Sequence, residues 1–225
     1  EYDLFLHDGS NLVSFYALPD NTDINSFFST LENNGIMGVL AEGLASVYVN
    51  DTWFGGLSSI EPGSGYWMIM DNNQIFSVEG YPIGIDYQYS LHEGANLISF
   101  PDAGLYDIED AIPYDMQGTI YGIISESQSA IWYNDDWIGS LEHFEGGRGY
   151  WFKSYENIDS LVFNLNPSLL SYHNNDINNS LEGYKYTQSS SQAFYYIKNL
   201  DGANIGDWIV AYHNDEIVGK QQWKG

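Results

Sequence analysis

The chain has no cysteine, and only six Lys and Arg against 31 Asp and Glu in its 225 residues. The missing thiols exclude a disulfide framework and any Cys-ligated zinc or iron centre. The missing cations exclude a nucleic-acid partner. Such binding rests on Lys and Arg releasing counterions, and a formal net charge of −25 repels a polyanion. Long apolar runs are absent too: none approaches the roughly 18 residues of a membrane-spanning helix, so no membrane span is expected. What remains is rich in core-forming side chains. Hydrophobic residues make up 44% and aromatics 16%, which supports a packed core and argues against wholesale disorder. The acids are scattered rather than blocked, so they read as a solvated coat suited to a salty medium.

The sequence is internally duplicated. His7-Asp8-Gly9-Ser10-Asn11-Leu12-Val13-Ser14-Phe15 recurs as His92-Glu93-Gly94-Ala95-Asn96-Leu97-Ile98-Ser99-Phe100. A second match runs without a gap from Ile36–Met68 to Ile120–Phe152. Within it Glu42, Asn50, Asp51, Trp53, Glu61, Gly63, Gly65, Tyr66 and Trp67 reappear as Glu126, Asn134, Asp135, Trp137, Glu145, Gly147, Gly149, Tyr150 and Trp151. A self-match of this length marks two copies of one structural unit.

Each copy reads mainly as strand. Asn11–Phe15 and Asn96–Phe100 alternate apolar and polar residues and run up to Pro19 and Pro101. Asn50-Asp51-Thr52 and Asn134-Asp135-Asp136 sit between strand-like segments. Asn and Asp tolerate the left-handed backbone that a tight hairpin demands. One short helix per copy is expected. Thr22-Asp23 can cap a helix carrying Ile24, Phe27, Phe28 and Leu31. Its counterpart in Tyr106–Met116 holds Pro113 and is limited to two turns. The fold class is therefore mainly β, α+β at most. Two tandem, pseudo-twofold-related β-rich modules (residues 1–83 and 84–165) precede a small β-rich segment, residues 166–225. Shared strands or a common barrel would let each copy cover the other's open edge. In the tail, Gly183–Tyr186, Gln192–Lys198, Asp207–Tyr212 and Ile217–Gln222 read as strands, with a hairpin turn at His213-Asn214-Asp215-Glu216.

Gly9–Phe15 with Gly63–Trp67, and Gly94–Phe100 with Gly147–Trp151, resemble a Gly-x-Asn-Leu-Ile-Ser-Phe and Gly-Tyr-Trp repeat of secreted and surface proteins of marine bacteria. The tail, from Ser191–Ile197 through Gly206–Ile209 to Val218-Gly219, is similar to a β-rich module found near the ends of such exported proteins. That pattern often has a Cys before the Val-Gly, where this chain has Ile217. The resemblance implies an extracellular or cell-surface location and a modular architecture. It brings no activity with it.

Three sets of residues are candidates for chemistry. Trp53 and Trp137, beside the polar turns Asn50-Asp51 and Asn134-Asp135, could stack on sugar rings as a paired carbohydrate site. Repeated Trp is equally a packing device. Glu42 and Glu126 interrupt apolar strands at equivalent positions. Two carboxylates meeting at a pseudo-dyad could act as acid and base in glycoside hydrolysis; alternatively each accepts backbone N–H bonds and organises a loop. Asp20, Asp23 and Asp136 offer oxygens to calcium, though no twelve-residue calcium loop is present. His7 and His92 each precede an acid. Neighbouring strand residues face opposite ways, and no His-x-His or His-x-x-x-His spacing exists, so they read as turn histidines rather than zinc ligands. No Gly-x-Ser-x-Gly elbow, phosphate loop or dinucleotide fingerprint occurs.

These features lead to an expectation of a non-catalytic extracellular or cell-surface structural or adhesive repeat protein. Its partner would be a cell-surface or matrix polysaccharide or protein. No cofactor is expected, with calcium as the one candidate cation. A carbohydrate-binding module and a hydrolase are the alternatives.

Overall fold

The structure, a computed structural model, describes residues 1–165, 195, 197 and 200–223. They fall into two units, one within Glu1–Tyr172 and one within His173–Gly225.

The first copy comprises β1 (Tyr2–Leu6), β2 (Gly9–Ser14), β3 (Ala17–Leu18), α1 (Ile24–Phe27), β4 (Ile36–Leu40), β5 (Ala45–Val49), β6 (Thr52–Gly55), β7 (Gly65–Met70), β8 (Gln74–Val78) and β9 (Tyr81–Pro82). The second comprises β10 (Tyr89–Leu91), β11 (Gly94–Ile98), β12 (Leu105–Asp107), α2 (Ile108–Ala111), a 3₁₀ turn (Tyr114–Met116), β13 (Ile120–Ile124), β14 (Ser129–Trp132), β15 (Trp137–Gly139), β16 (His143–Glu145), β17 (Tyr150–Ser154) and β18 (Ile158–Leu161).

The duplication is carried into topology. One five-stranded sheet has the order β2-β7-β4-β5-β6 and the other the order β11-β17-β13-β14-β15. All neighbours are antiparallel, and each sheet has the same register slip, at Ile36/Gly38 and at Ile120/Gly122. Short ribbons β1-β8 and β10-β18 flank them. Each copy fills its own core. Phe15, Phe28, Val39, Ile60, Tyr66, Met68 and Met70 are buried in the first, and Phe100, Ile112, Ile123, Phe144, Tyr150 and Phe152 in the second. The strands are thus shared within copies and not between them. The expected common barrel does not form.

The local chemistry explains the turns. Asn50 and Asp51 have φ of 50° and 60°, Asn134 and Asp135 54° and 59°, and Asn214 and Asp215 48° and 66°. Two consecutive left-handed residues make the hairpin turn whose twist matches the flanking strands. The third of these turns joins β19 (Trp208–His213) to β20 (Glu216–Gln222) in the tail. Of the other tail strands expected from sequence, Gly183–Tyr186 lies outside the described residues and Gln192–Lys198 largely so. The helices are as short as their sequences demand. The Asp23 carboxylate caps α1 by accepting from the Asn25 N–H at 3.0 Å. Pro113 separates α2 from the 3₁₀ turn.

Both faces of β2 and β11 are buried: Asn11, Ser14, Asn96 and Ser99 are at most 3% exposed. Hydrogen bonds make these polar residues tolerable there: Asn11, Asn96 and Ser99 bond within their own copy, and Ser14 Oγ donates to the Arg148 carbonyl of the other.

Candidate functional site

β2 and β11 are edge strands, and an uncovered edge leaves N–H and C=O groups unpaired. Each edge is closed by turns of the other copy. Ser14 N–H donates to Gly147 C=O at 2.9 Å, and Gly149 N–H donates to Leu12 C=O at 3.2 Å. Reciprocally, Ser99 N–H donates to Gly63 C=O at 2.9 Å. Single bridges Val13–Arg148 and Ser64–Ile98 mark the same two seams.

The glutamates complete this closure. Glu126 accepts the Leu12 N–H at 2.8 Å through Oε2, and its Oε1 lies 2.7 Å from His7 Nε2. Glu42 does the same to the second copy, accepting the Leu97 N–H at 2.9 Å and lying 2.5 Å from His92 Nε2. Both oxygens of each carboxylate are therefore occupied by the opposite copy. The sequence-level alternative, a Glu that organises its own loop, is corrected in one respect: the N–H it accepts belongs to the other module.

The histidines are held in place by the repeat's asparagine. Asn11 Oδ1 accepts the His7 N–H at 2.8 Å, and Asn11 Nδ2 donates to His7 C=O at 2.8 Å. Asn96 repeats the arrangement on His92 at 2.8 and 2.9 Å. This is the work of Asn in Gly-x-Asn-Leu. The carboxylate hydrogen bonds raise both histidine pKa values above the ordinary one, Glu126 acting on His7 and Glu42 on His92.

The Gly-x-Gly-Tyr-Trp segment supplies the complementary surface. Tyr66 and Tyr150 each accept an N–H five residues back, from Glu61 and Glu145, both at 2.7 Å. That bond shapes the turn, and burial raises the pKa of both phenols above the usual value. Gly65 and Gly149 then approach the other copy closely. A Cβ on Gly149 would lie 2.6 Å from Val13 O, and one on Gly65 would lie 2.8 Å from Ile98 O. Trp67 packs with Leu12 and Leu97, flanked by Leu40 and Trp151. Trp67 is thus a buried core residue, and the core it belongs to is the apolar centre of the junction between the copies, with Trp151 packed against it.

The tryptophans proposed for sugar stacking are half-buried and engaged. Trp53 packs on its cross-strand neighbour Tyr48 and on Phe28, with ring centroids 5.2 and 5.7 Å away, and donates from Nε1 to Glu32 at 2.9 Å. Trp137 meets Trp132 edge-on at 5.5 Å, and its buried Nε1 has no hydrogen-bond partner. The adjoining Asn50, Asp51, Asn134 and Asp135 are exposed turn residues. Asp20 is exposed, Asp23 is spent on the α1 cap, and Asp136 accepts the Tyr133 N–H through its backbone. Among the described residues no group of three or more His, Asp or Glu converges as a metal site, and no helix is long and apolar enough to cross a membrane.

The His–Glu pairs were missed by sequence reasoning, since the partners lie 119 and 50 residues apart. The available signal was that His and Glu both recur at equivalent places in the two copies. Compared with known proteins, no family model, curated protein or solved structure matches the chain.

Proposed function

We propose that this protein is a non-catalytic structural or adhesive repeat protein of the extracellular space or cell surface. The supporting observation is that both oxygens of Glu42 and of Glu126 are bound across the module junction. A carboxylate that caps a strand edge and grips a histidine is not free to protonate a leaving group or to activate water. The sugar-binding alternative needs open Trp faces, and Trp53 and Trp137 pack against Tyr48, Phe28 and Trp132. The reading needs no cofactor. Its partner is a surface or matrix polymer, polysaccharide or protein, met by the acidic exterior or the exposed strand faces.

The test is a thermal-shift and turnover screen of the full chain against plant and marine polysaccharides, with and without calcium. The expected result is no reducing sugar released and no shift that depends on Trp53 or Trp137. Hydrolysis abolished by Glu126→Gln in a folded protein would replace this reading with the hydrolase. A shift lost in Trp53→Ala or Trp137→Ala would replace it with the carbohydrate-binding module. A calcium-dependent rise in Tm that is lost in Asp20→Asn or Asp136→Asn would overturn the cofactor-free form of the proposal.

A further inference from the structure

The two histidines at the junction share an arrangement that dictates their charge. His7 Nε2 faces Glu126 Oε1 at 2.7 Å, and His7 Nδ1 faces the Asp8 backbone carbonyl at 2.6 Å. His92 Nε2 faces Glu42 Oε1 at 2.5 Å, and its Nδ1 faces the Glu93 carbonyl at 2.6 Å. A carbonyl and a carboxylate are acceptors only. A neutral imidazole has a single N–H, so at these distances it leaves one nitrogen lone pair pressed against an oxygen. The imidazolium has two N–H groups and satisfies both. The same geometry occurs twice, in copies whose sequences differ, so it belongs to the repeat and not to one loop.

We propose that the junction is a pair of proton-dependent staples: with the histidines protonated the two modules are clamped, and loss of those protons loosens the seam along β2 and β11.

The groups facing each staple are few. His7 meets Glu126 and also feels the charge of Asp8; Arg148, beside Glu145, lies close enough to act on Glu126. His92 meets Glu42. Each glutamate also caps a strand N–H, so the consequence extends beyond the ion pair. When the imidazolium loses a proton, its one remaining N–H can serve only one of the two facing oxygens and its charge no longer attracts the carboxylate, so the partner of the Leu12 or Leu97 N–H is held less firmly. The first staple is the better shielded, with side-chain exposures of 43% and 19% for His7 and Glu126 against 58% and 38% for His92 and Glu42. It therefore dominates the clamp. For the sign, a histidine whose pKa is higher folded than unfolded stabilises fully below about 6.5 and loses that contribution as pH rises through its folded value. The clamp is closed in mild acid and weakens with alkalinity.

The test uses the full chain with two local readouts. Imidazole resonances are titrated by NMR between pH 5.5 and 9. Amide exchange at Leu12 and Leu97 is followed over the same range, corrected for intrinsic base catalysis. Titration midpoints of His7 and His92 above about 6.5 are expected. Corrected exchange at both amides should accelerate at least tenfold across those midpoints. His7→Gln should remove the step at Leu12 and leave that at Leu97, and His92→Gln the reverse. His143→Gln, away from the seam, should change neither. An ordinary or lowered midpoint for both histidines overturns the proposal, as does Leu12 or Leu97 exchange that ignores their ionisation. Because the wild-type titration needs no substitution, a variant that fails to fold does not remove the test.

Discussion

Replacing Glu126 by Ala tests whether the repeated glutamates are structural. Two hydrogen-bonded contacts set the size of the loss. The first is the acceptor for the Leu12 N–H at 2.8 Å, on a residue that is 2% exposed. Leaving such a donor unsatisfied costs about 1–3 kcal/mol. The second is the His7 contact. With His7 43% exposed it is screened like a surface pair and contributes about 0.5–1 kcal/mol. Glu126→Ala should therefore destabilise the module pair by about 1.5–4 kcal/mol, a substantial part of the stability of a domain. Glu42→Ala removes the same groups from a wetter site and should cost clearly less, because water can take over the lost bonds. Glu126→Gln keeps an oxygen for the Leu12 N–H and should recover part of the loss. The assay is urea unfolding near pH 6.5, followed by tryptophan fluorescence and circular dichroism on each variant. A Glu126→Ala protein within 0.5 kcal/mol of wild type would refute the capping argument. So would a Glu42→Ala protein that is the less stable of the two.

Further outcomes follow from the same structure. Gly149→Ala places a methyl 2.6 Å from Val13 O and 3.1 Å from Leu12 Cδ1, so it should cost about 1–3 kcal/mol by prying the seam apart. Unfolding curves would show this, and an unchanged midpoint would mean that the modules do not need that contact. Glu32→Ala orphans the Trp53 indole N–H, which donates to Glu32 at 2.9 Å, and should cost about 1–2 kcal/mol. The matching position in the second copy is Met116, and there Trp137 already lacks a partner. An unaffected unfolding midpoint in Glu32→Ala would show that the indole finds water instead.

The local conformations were legible in the chain because short-range chemistry sets them. Asn-Asp pairs take left-handed backbone wherever they join two strands, and this places three hairpin turns from sequence alone. Asp23 before Ile24 caps a helix, and Pro113 ends one. The duplication itself follows from matching residues, and the mainly β architecture from the strand-like segments and turns that each copy repeats. The candidate site was only half visible. His7, Glu42, His92 and Glu126 stand out because each recurs at an equivalent position. Nothing in a linear sequence says whether a histidine meets the glutamate of its own copy or of the other.

Tertiary structure decides that question, and several others with it. The modules pack through the outer faces of their sheets, so the core that Trp67 joins is the one between the copies, with Leu12 and Leu97. Ser14 is buried at the same seam, its hydroxyl donating to the Arg148 carbonyl of the other copy. The glutamates become edge caps because each β2-type strand ends its sheet with unpaired N–H groups, and the other copy is the nearest source of acceptors. Turn type and strand propensity are properties of a few adjacent residues, and the chain carries them wherever it goes. The pairing of His7 with Glu126 is a property of two surfaces that exist only after both modules have folded.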